Sequence, residues 1–252
     1  MKTSLKEELF KFTRQKTPVY GLLTLLVLMS YSALTAPITP TQLIFEFGAV
    51  QWVTIIMIAV SSAFLAMEYR QHTIILLVAK HPRRFQVYLA KLLVLWLYSL
   101  VLTGLATVFT VVLKTIFVGH RYGWFHPVAH HQTLFALLSG NVLGTLLYTL
   151  FIVALSLLLI TLVKSNAIVI GIGLALGFMG AGFSVAFMHT FAAQVALIRW
   201  NPLNMIFITQ QLANPPYAAI SHLGNGQVIS GTLLYTVAFI LVGYWLFKKR
   251  PV

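Results

Sequence analysis

The stretch Glu68–Lys91, EYRQHTIILLVAKHPRRFQVYLAK, decides how the rest of the chain is read. It is a long polar interruption between two runs whose composition suits lipid. It opens on Glu68, one of only four acidic residues, and carries Arg70, Lys80, Arg83, Arg84 and Lys91. Within it the apolar run Ile74–Ala79 is far shorter than the roughly 20 residues a membrane helix needs. The segment therefore reads as a short helix lying under the membrane. Pro82 disfavours helical geometry at His81 and can open the next helix, so a break is expected before the following span.

Working outward from this loop, the chain has 252 residues, 59% of them hydrophobic and 8% charged, with a mean hydropathy of +0.90. Soluble domains carry about one quarter charged residues. The composition is that of a polytopic membrane protein, and six spans of about 20 residues with short connectors consume nearly all of it. The expected fold is all-α: one transmembrane domain over residues 1–252, with no separate soluble module. Cysteine is absent, which removes disulfides and thiolate metal sites. A cleavable signal peptide is not expected, because residues 1–17 are charged and the apolar run after them is about a full span long with no small-x-small site.

A net charge of +13 could point to nucleic acid, but the positions of the charges follow a membrane instead. With the N-terminus in the cytoplasm, Lys2, Lys6, Lys11, Arg14, Lys16, Arg70, Lys80, Arg83, Arg84, Lys91, Lys164, Lys248, Lys249 and Arg250 fall inside. Only Lys114, Arg121 and Arg199 fall outside. That asymmetry is the positive-inside pattern, with basic groups near span ends where anionic lipid attracts them. Both termini are expected in the cytoplasm of a bacterial plasma-membrane protein, with lipid and no nucleic acid as a partner.

Before the first span, Ser4-Leu5-Lys6-Glu7 has the spacing of a capping box that would start a helix. Leu5, Leu9 and Phe12 share a face, while Lys6, Glu8, Lys11 and Arg14 occupy much of the rest, as in a helix lying in the interface. A solvated basic leader is the plainer alternative. Pro18 marks a bend into span one, about 19–35, and a proline-containing turn over 36–42 leads to span two, about 45–67. Glu46 sits near the outer end of span two. An intramembrane carboxylate can be a proton or cation site, yet at the interface it can stay hydrated, and hydration is the expectation here.

Span three is expected over about 92–118 and span four over about 134–163. Between them, GHRYGWFHPVAHH is polar and aromatic. His120, His126, His130 and His131 raise a metal site, since His126 and His130 would share a helical face, but Pro127 interrupts the spacing and no acidic or thiol ligand is near. Interfacial anchoring by Tyr122, Trp124 and histidine is favoured, and no bound metal or cofactor is expected. Gly140 with Gly144, and Gly173 with Gly177, match the small-xxx-small pattern of closely packed membrane helices, and Gly180 and Gly182 extend the second face. Residues 189–227 are too interrupted to span. Short helices there are expected to dip into the outer leaflet, burying Phe191, Val195, Ile198 and Trp200 while Arg199 stays wet. Span six, about 228–247, stops at Lys248-Lys249-Arg250.

With this order of elements, the chain resembles the membrane permease subunits of ABC transporters of the ABC-2 type over nearly its full length. In that family a Glu, a Gly-Thr, a short apolar helix, a Pro with a nearby Arg, and a Lys follow one another from the end of span two to the start of span three. Glu68, His72-Thr73, Ile74–Ala79, Pro82 with Arg83 and Arg84, and Lys91 take those places, with His72 in place of the usual glycine. The resemblance implies that residues 68–91 form a coupling helix docking into a groove on a separate ATP-binding cassette subunit. Glu68, Thr73, Pro82, Arg83, Arg84 and Lys91 would be its coupling residues and the leader helix its brace. It also implies pairing with a second permease copy or paralogue, and ATP and Mg on the partner subunit rather than on this chain.

The leading expectation is thus a non-catalytic permease subunit of an ATP-driven exporter moving an amphipathic, peptide- or lipid-like molecule. Small permeases of antibiotic resistance or bacteriocin and lantibiotic immunity are the nearest analogy. Asn141, Thr145 and Ser184 are polar handles without an assigned role. The alternatives are an ion-coupled secondary transporter or channel, for which Glu46 and Lys114 are the ionisable candidates, and an intramembrane enzyme. The enzyme lacks an obvious acid-base constellation: aspartate is absent, Glu7 and Glu8 lie in the leader, and most histidines lie in outer loops.

Overall fold

The computed structural model describes residues 2–70, 84–129 and 132–249. Six helices are long and apolar enough to cross a membrane, and the protein is a helical, multi-pass membrane protein. Span one covers Thr17–Thr35, span two Ala49–Arg70, span three Arg84–Phe117, span four Leu134–Val163, span five Asn166–Thr190 and span six Asn225–Lys249. A leader helix, Lys2–Thr13, precedes them. Ser4 is buried within this helix rather than capping it, so the capping box is not formed. Pro18 stands in the first turn of span one, where its missing N–H costs nothing.

Span four is the axis of the bundle and the most enclosed helix, whereas spans one, five and six are the least buried. It packs on spans two, three and six. Each of the six spans is apolar on most of its sides, and in lipid that is expected, because the tails are as apolar as the core. What points inward is therefore read from size and polarity. The larger core gathers Leu25, Met57, Phe64, Leu95, Phe151, Leu157 and Ile208 from every layer. A smaller one gathers Ala33, Leu43, Phe47, Leu113, Leu134 and Ala213 at the end of the bundle opposite the chain termini, hereafter the distal end.

Two features interrupt the all-helical pattern. Pro127–Ala129 and Gln132–Thr133 form a two-stranded antiparallel ladder before span four, pairing Pro127 with Thr133. The helix that His126 and His130 would have shared is not formed at His126, and His130 and His131 lie outside the described residues. Between spans five and six the chain breaks into short turns, Ala192–Gln194, Val195–Ile198, Pro202–Phe207, Ile208–Gln211, Pro215–Tyr217 and Ala218–Ser221. This segment re-enters the bundle. Ile208 lies against Gly144, about 15 Å along span four from its start at Leu134.

Candidate functional site

The structure describes the two ends of the loop that organises the sequence. Glu68 lies in the last turns of span two and Arg84 opens span three, while Thr73, Ile74–Ala79, Pro82 and Arg83 lie outside the described residues. Lys91 is placed differently from a docking residue. Its side chain is 0% exposed and ion-pairs with Glu8 of the leader, itself 1% exposed. The ammonium also stands 4.7 Å over the Phe64 ring of span two. Glu8 accepts a second bond from Lys11 at 2.8 Å. A buried charge needs such pairing, since desolvating either ion alone costs several kcal/mol.

The pair fixes which face of the leader turns inward. Ser4, Glu8 and Phe12 are buried, and Phe12 sits edge-on between Phe64 and Tyr98, 5.2 Å from each ring. Leu5 packs at the margin of the core, but Leu9 is 42% exposed, so the expected Leu5-Leu9-Phe12 face is rotated. The reason is electrostatic: Glu8 is held inside by Lys91, and Leu9 can remain outward where lipid accepts it. Arg14 is exposed and stacks on Phe10 at 5.1 Å. Tyr98 donates to the Pro18 carbonyl at 2.7 Å, joining span three to the bend after the leader.

At the distal end the expectation of a hydrated Glu46 is overturned. Glu46 is 1% exposed, in a 3-10 turn, Glu46–Gly48, between the short helix Pro40–Ile44 and span two. Its Oε1 is 2.6 Å from Thr107 Oγ1 of span three, and its Oε2 accepts from Asn141 Nδ2 of span four at 3.0 Å. Glu46, Phe47 and Gly48 have φ of 50°, 54° and 79°. Two successive non-glycine residues in the left-handed region cost about 1–2 kcal/mol each, a strain held by Phe47, whose ring is locked in the distal core. The turn aims the carboxyl into the bundle instead of toward the surface.

Below Glu46 the interface of spans three and four is polar and buried. Ser99, Thr103 and the half-buried Thr107 rise along span three at one-turn steps, and the buried Asn141, Thr145 and Thr149 descend span four likewise. Thr149 donates to Ser99 Oγ at 3.2 Å. Asn141 and Thr145, two unassigned handles, therefore belong to one seam. Polar residues at four-residue spacing inside two apolar helices were the signal available in the sequence. Lys114, two turns beyond Thr107, is also buried, donates to the Gly119 carbonyl at 3.2 Å and lies 4.8 Å from the Trp124 ring.

The glycine pairs pack within the chain. A β-carbon at Gly144 would stand 2.5 Å from the Ile208 carbonyl oxygen, and one at Gly140 would collide with the Leu212 carbonyl, so this pair admits the re-entrant segment. Gly173 and Gly177 instead face Ile58 and Ile55 of span two, and Gly180 approaches Ile206. Gly182 has nothing within 4 Å and is exposed, so it does not extend the packed face.

The re-entrant segment is pinned by amides. Asn204 Nδ2 donates to the carbonyls of Arg199 at 2.6 Å and Ser221 at 2.8 Å, and its Oδ1 accepts from Ser184 of span five at 3.0 Å. Gln211 Nε2 donates to the Leu223 carbonyl at 2.8 Å and its Oε1 accepts from Ser221 at 2.7 Å. Of the residues expected to dip into the outer leaflet, Val195, Ile198 and Trp200 are half-buried by protein and Phe191 is 48% exposed, and the Arg199 guanidinium donates a solvent-exposed hydrogen bond to the His222 carbonyl at 3.2 Å. An apolar cleft of about 210 Å³ opens beside it, lined by Val185, Met188, Val195 and Ile220 with His189 and His222 at its polar edge.

Among the described residues no three histidine or carboxylate groups converge as a metal site. No curated protein matches the chain. The model of one family matches residues 12–252, and the chain belongs to that family, described as Protein of unknown function (DUF2705).

Proposed function

We propose that this chain is the membrane subunit of an ATP-driven exporter, powered by a separate ATP-binding subunit that docks on the loop joining span two to span three. The observation that carries this reading is the buried Glu8–Lys91 pair. Lys91 lies seven residues beyond Arg84, about 10 Å along span three from where the loop rejoins it. A push on the loop would thus move span three and the leader together, with Phe64 of span two in the same contact. The leader acts as a brace, and Arg83 and Arg84 also suit anionic headgroups.

The substrate is an amphipathic, peptide- or lipid-like molecule. Two copies, or the chain and a paralogue, would enclose it, with exposed apolar faces on span one (Leu23, Val27, Tyr31) and span five (Phe178, Phe183, Phe187) available to the partner or to lipid. The membrane is the bacterial plasma membrane, with both termini cytoplasmic. A second reading, an ion-coupled transporter, is favoured by one observation, the buried carboxyl of Glu46. Uptake of a fluorescent amphipathic peptide or lipid into inverted membrane vesicles separates the two. The exporter reading expects accumulation that needs ATP and survives ionophores that collapse proton and sodium gradients. Gradient-driven accumulation without ATP would overturn it.

A further inference from the structure

Glu46 is a carboxyl inside a membrane bundle, and among the described residues no cation pairs with it. Among the described residues its polar neighbours are Thr107 and Asn141. The elements packed on its turn offer little else. Span one presents Tyr31, which is exposed; the helix Pro40–Ile44 and the first turns of span two carry no ionisable side chain. Span three presents Lys114, engaged with the Gly119 carbonyl and Trp124, and Tyr98, which donates to Pro18 far along the helix. Span four presents Tyr148, two turns below Asn141. An ionised carboxylate here would be buried and unpaired, a costly state in lipid.

The hydrogen-bond count makes a specific demand. Thr107 Oγ1 lies 2.6 Å from Glu46 Oε1 and 3.0 Å from the Thr103 carbonyl oxygen. A hydroxyl has one proton and can donate to one of them. Both contacts are full two-centre hydrogen bonds, rather than one shared proton, when a second proton is present on Glu46. The acid then donates to Thr107, Thr107 donates to the Thr103 carbonyl, and the acid's other oxygen accepts from Asn141. Every separation falls in the hydrogen-bond range. Further along the seam, Asn141 Oδ1 and the hydroxyls of Thr103 and Thr110 are buried without a partner among the described residues.

We propose that Glu46, Thr107 and Asn141 form a proton-binding site at the distal end of the polar seam between spans three and four. The bound proton ties the strained Glu46–Gly48 turn to both spans and closes that end. Its loss leaves a charge that water or a cation must reach, and the unpartnered oxygens of Asn141 and Thr103 stand where they would receive it. The site holds whichever energy source drives transport.

Infrared spectroscopy of the full chain in lipid nanodiscs at neutral pH tests this directly. All four acidic residues are glutamates, so carbon-13 at the glutamate carboxyl marks every candidate band. The expected result is a label-sensitive protonated-carboxyl band that is lost in Glu46→Gln and moves to higher frequency in Thr107→Val, where the acid has lost its acceptor. Should Glu46→Gln not be recovered folded, the Thr107→Val displacement decides alone. Carboxylate bands only, a protonated band retained in Glu46→Gln, no displacement in Thr107→Val, or bands that respond to exchange of sodium for potassium would each overturn the proposal.

Discussion

Replacing Lys91 by Met removes a charge from the centre of the leader contact while keeping an unbranched stem of similar length over Phe64. Among the described residues Glu8, 1% exposed, would then retain Lys11, whose side chain is 34% exposed. Breaking a buried pair from one side costs about 3–5 kcal/mol, and the lost ammonium–ring contact adds up to about 2 kcal/mol where it is desolvated. Lys11 offsets part of this, so the expected loss is about 3 kcal/mol, or roughly a hundredfold rise in the population with the leader detached. Glu8→Met should also destabilise the contact, because it takes the buried carboxylate away from the Lys91 ammonium. Changing both to Met should return the protein to within about 1 kcal/mol of wild type, since buried pairs are often replaceable by packed apolar groups. The assay is limited proteolysis at the Thr13–Thr17 junction, supported by unfolding midpoints in detergent, with the three variants read as a cycle. Unchanged protease sensitivity in Lys91→Met, or penalties that simply add in the double variant, would refute the claim that this pair clamps the leader to span three.

Other outcomes follow from the same packing. Gly144→Val should destabilise the fold by about 1–3 kcal/mol, because a backbone carbonyl cannot move aside, whereas Gly182→Ala should be neutral or stabilising by about 0.5–1 kcal/mol; unfolding midpoints of the pair check this. Asn204→Ala orphans the buried carbonyl of Ser221 and the part-buried carbonyl of Arg199 and should cost about 2–3 kcal/mol by the penalty for unsatisfied groups, read as faster protease cleavage between Phe191 and Gly224. The chain lacks cysteine, so single cysteines report topology cleanly: one introduced at Arg70 should react only with a permeant maleimide in intact cells, and one at Phe125 with an impermeant reagent.

Span existence was legible because about 20 apolar residues in a row have few other fates, and span four runs over the expected residues, 134–163. The inward face of each helix was not. In water the apolar side of the leader would turn in, but next to a membrane lipid can take Leu9 and the protein takes Glu8, so periodicity gives a face without its direction. Glu8 and Lys91 are also 83 residues apart, and nothing local pairs them. The inward turn of Glu46 is hidden for a related reason: its position near a span end suggests water, while three left-handed residues turn it inward. The glycine pairs announced close packing yet not their partners, one being a re-entrant backbone and the other span two. The seam could have been found, since Ser99, Thr103 and Thr107 repeat at one-turn steps and Asn141, Thr145 and Thr149 do the same.

The central claim, that this chain is worked by a separate ATPase through the loop joining spans two and three, is tested most directly by purifying it from its native cell in mild detergent and measuring its stoichiometric partners. The double variant Glu68→Ala, Arg84→Ala is purified alongside. The account predicts a nucleotide-binding subunit at about one copy per membrane chain with the wild type and its depletion in the variant, with membrane insertion unchanged. Recovery of the chain under mild conditions with no ATPase, or with one bound equally to the variant, would contradict it.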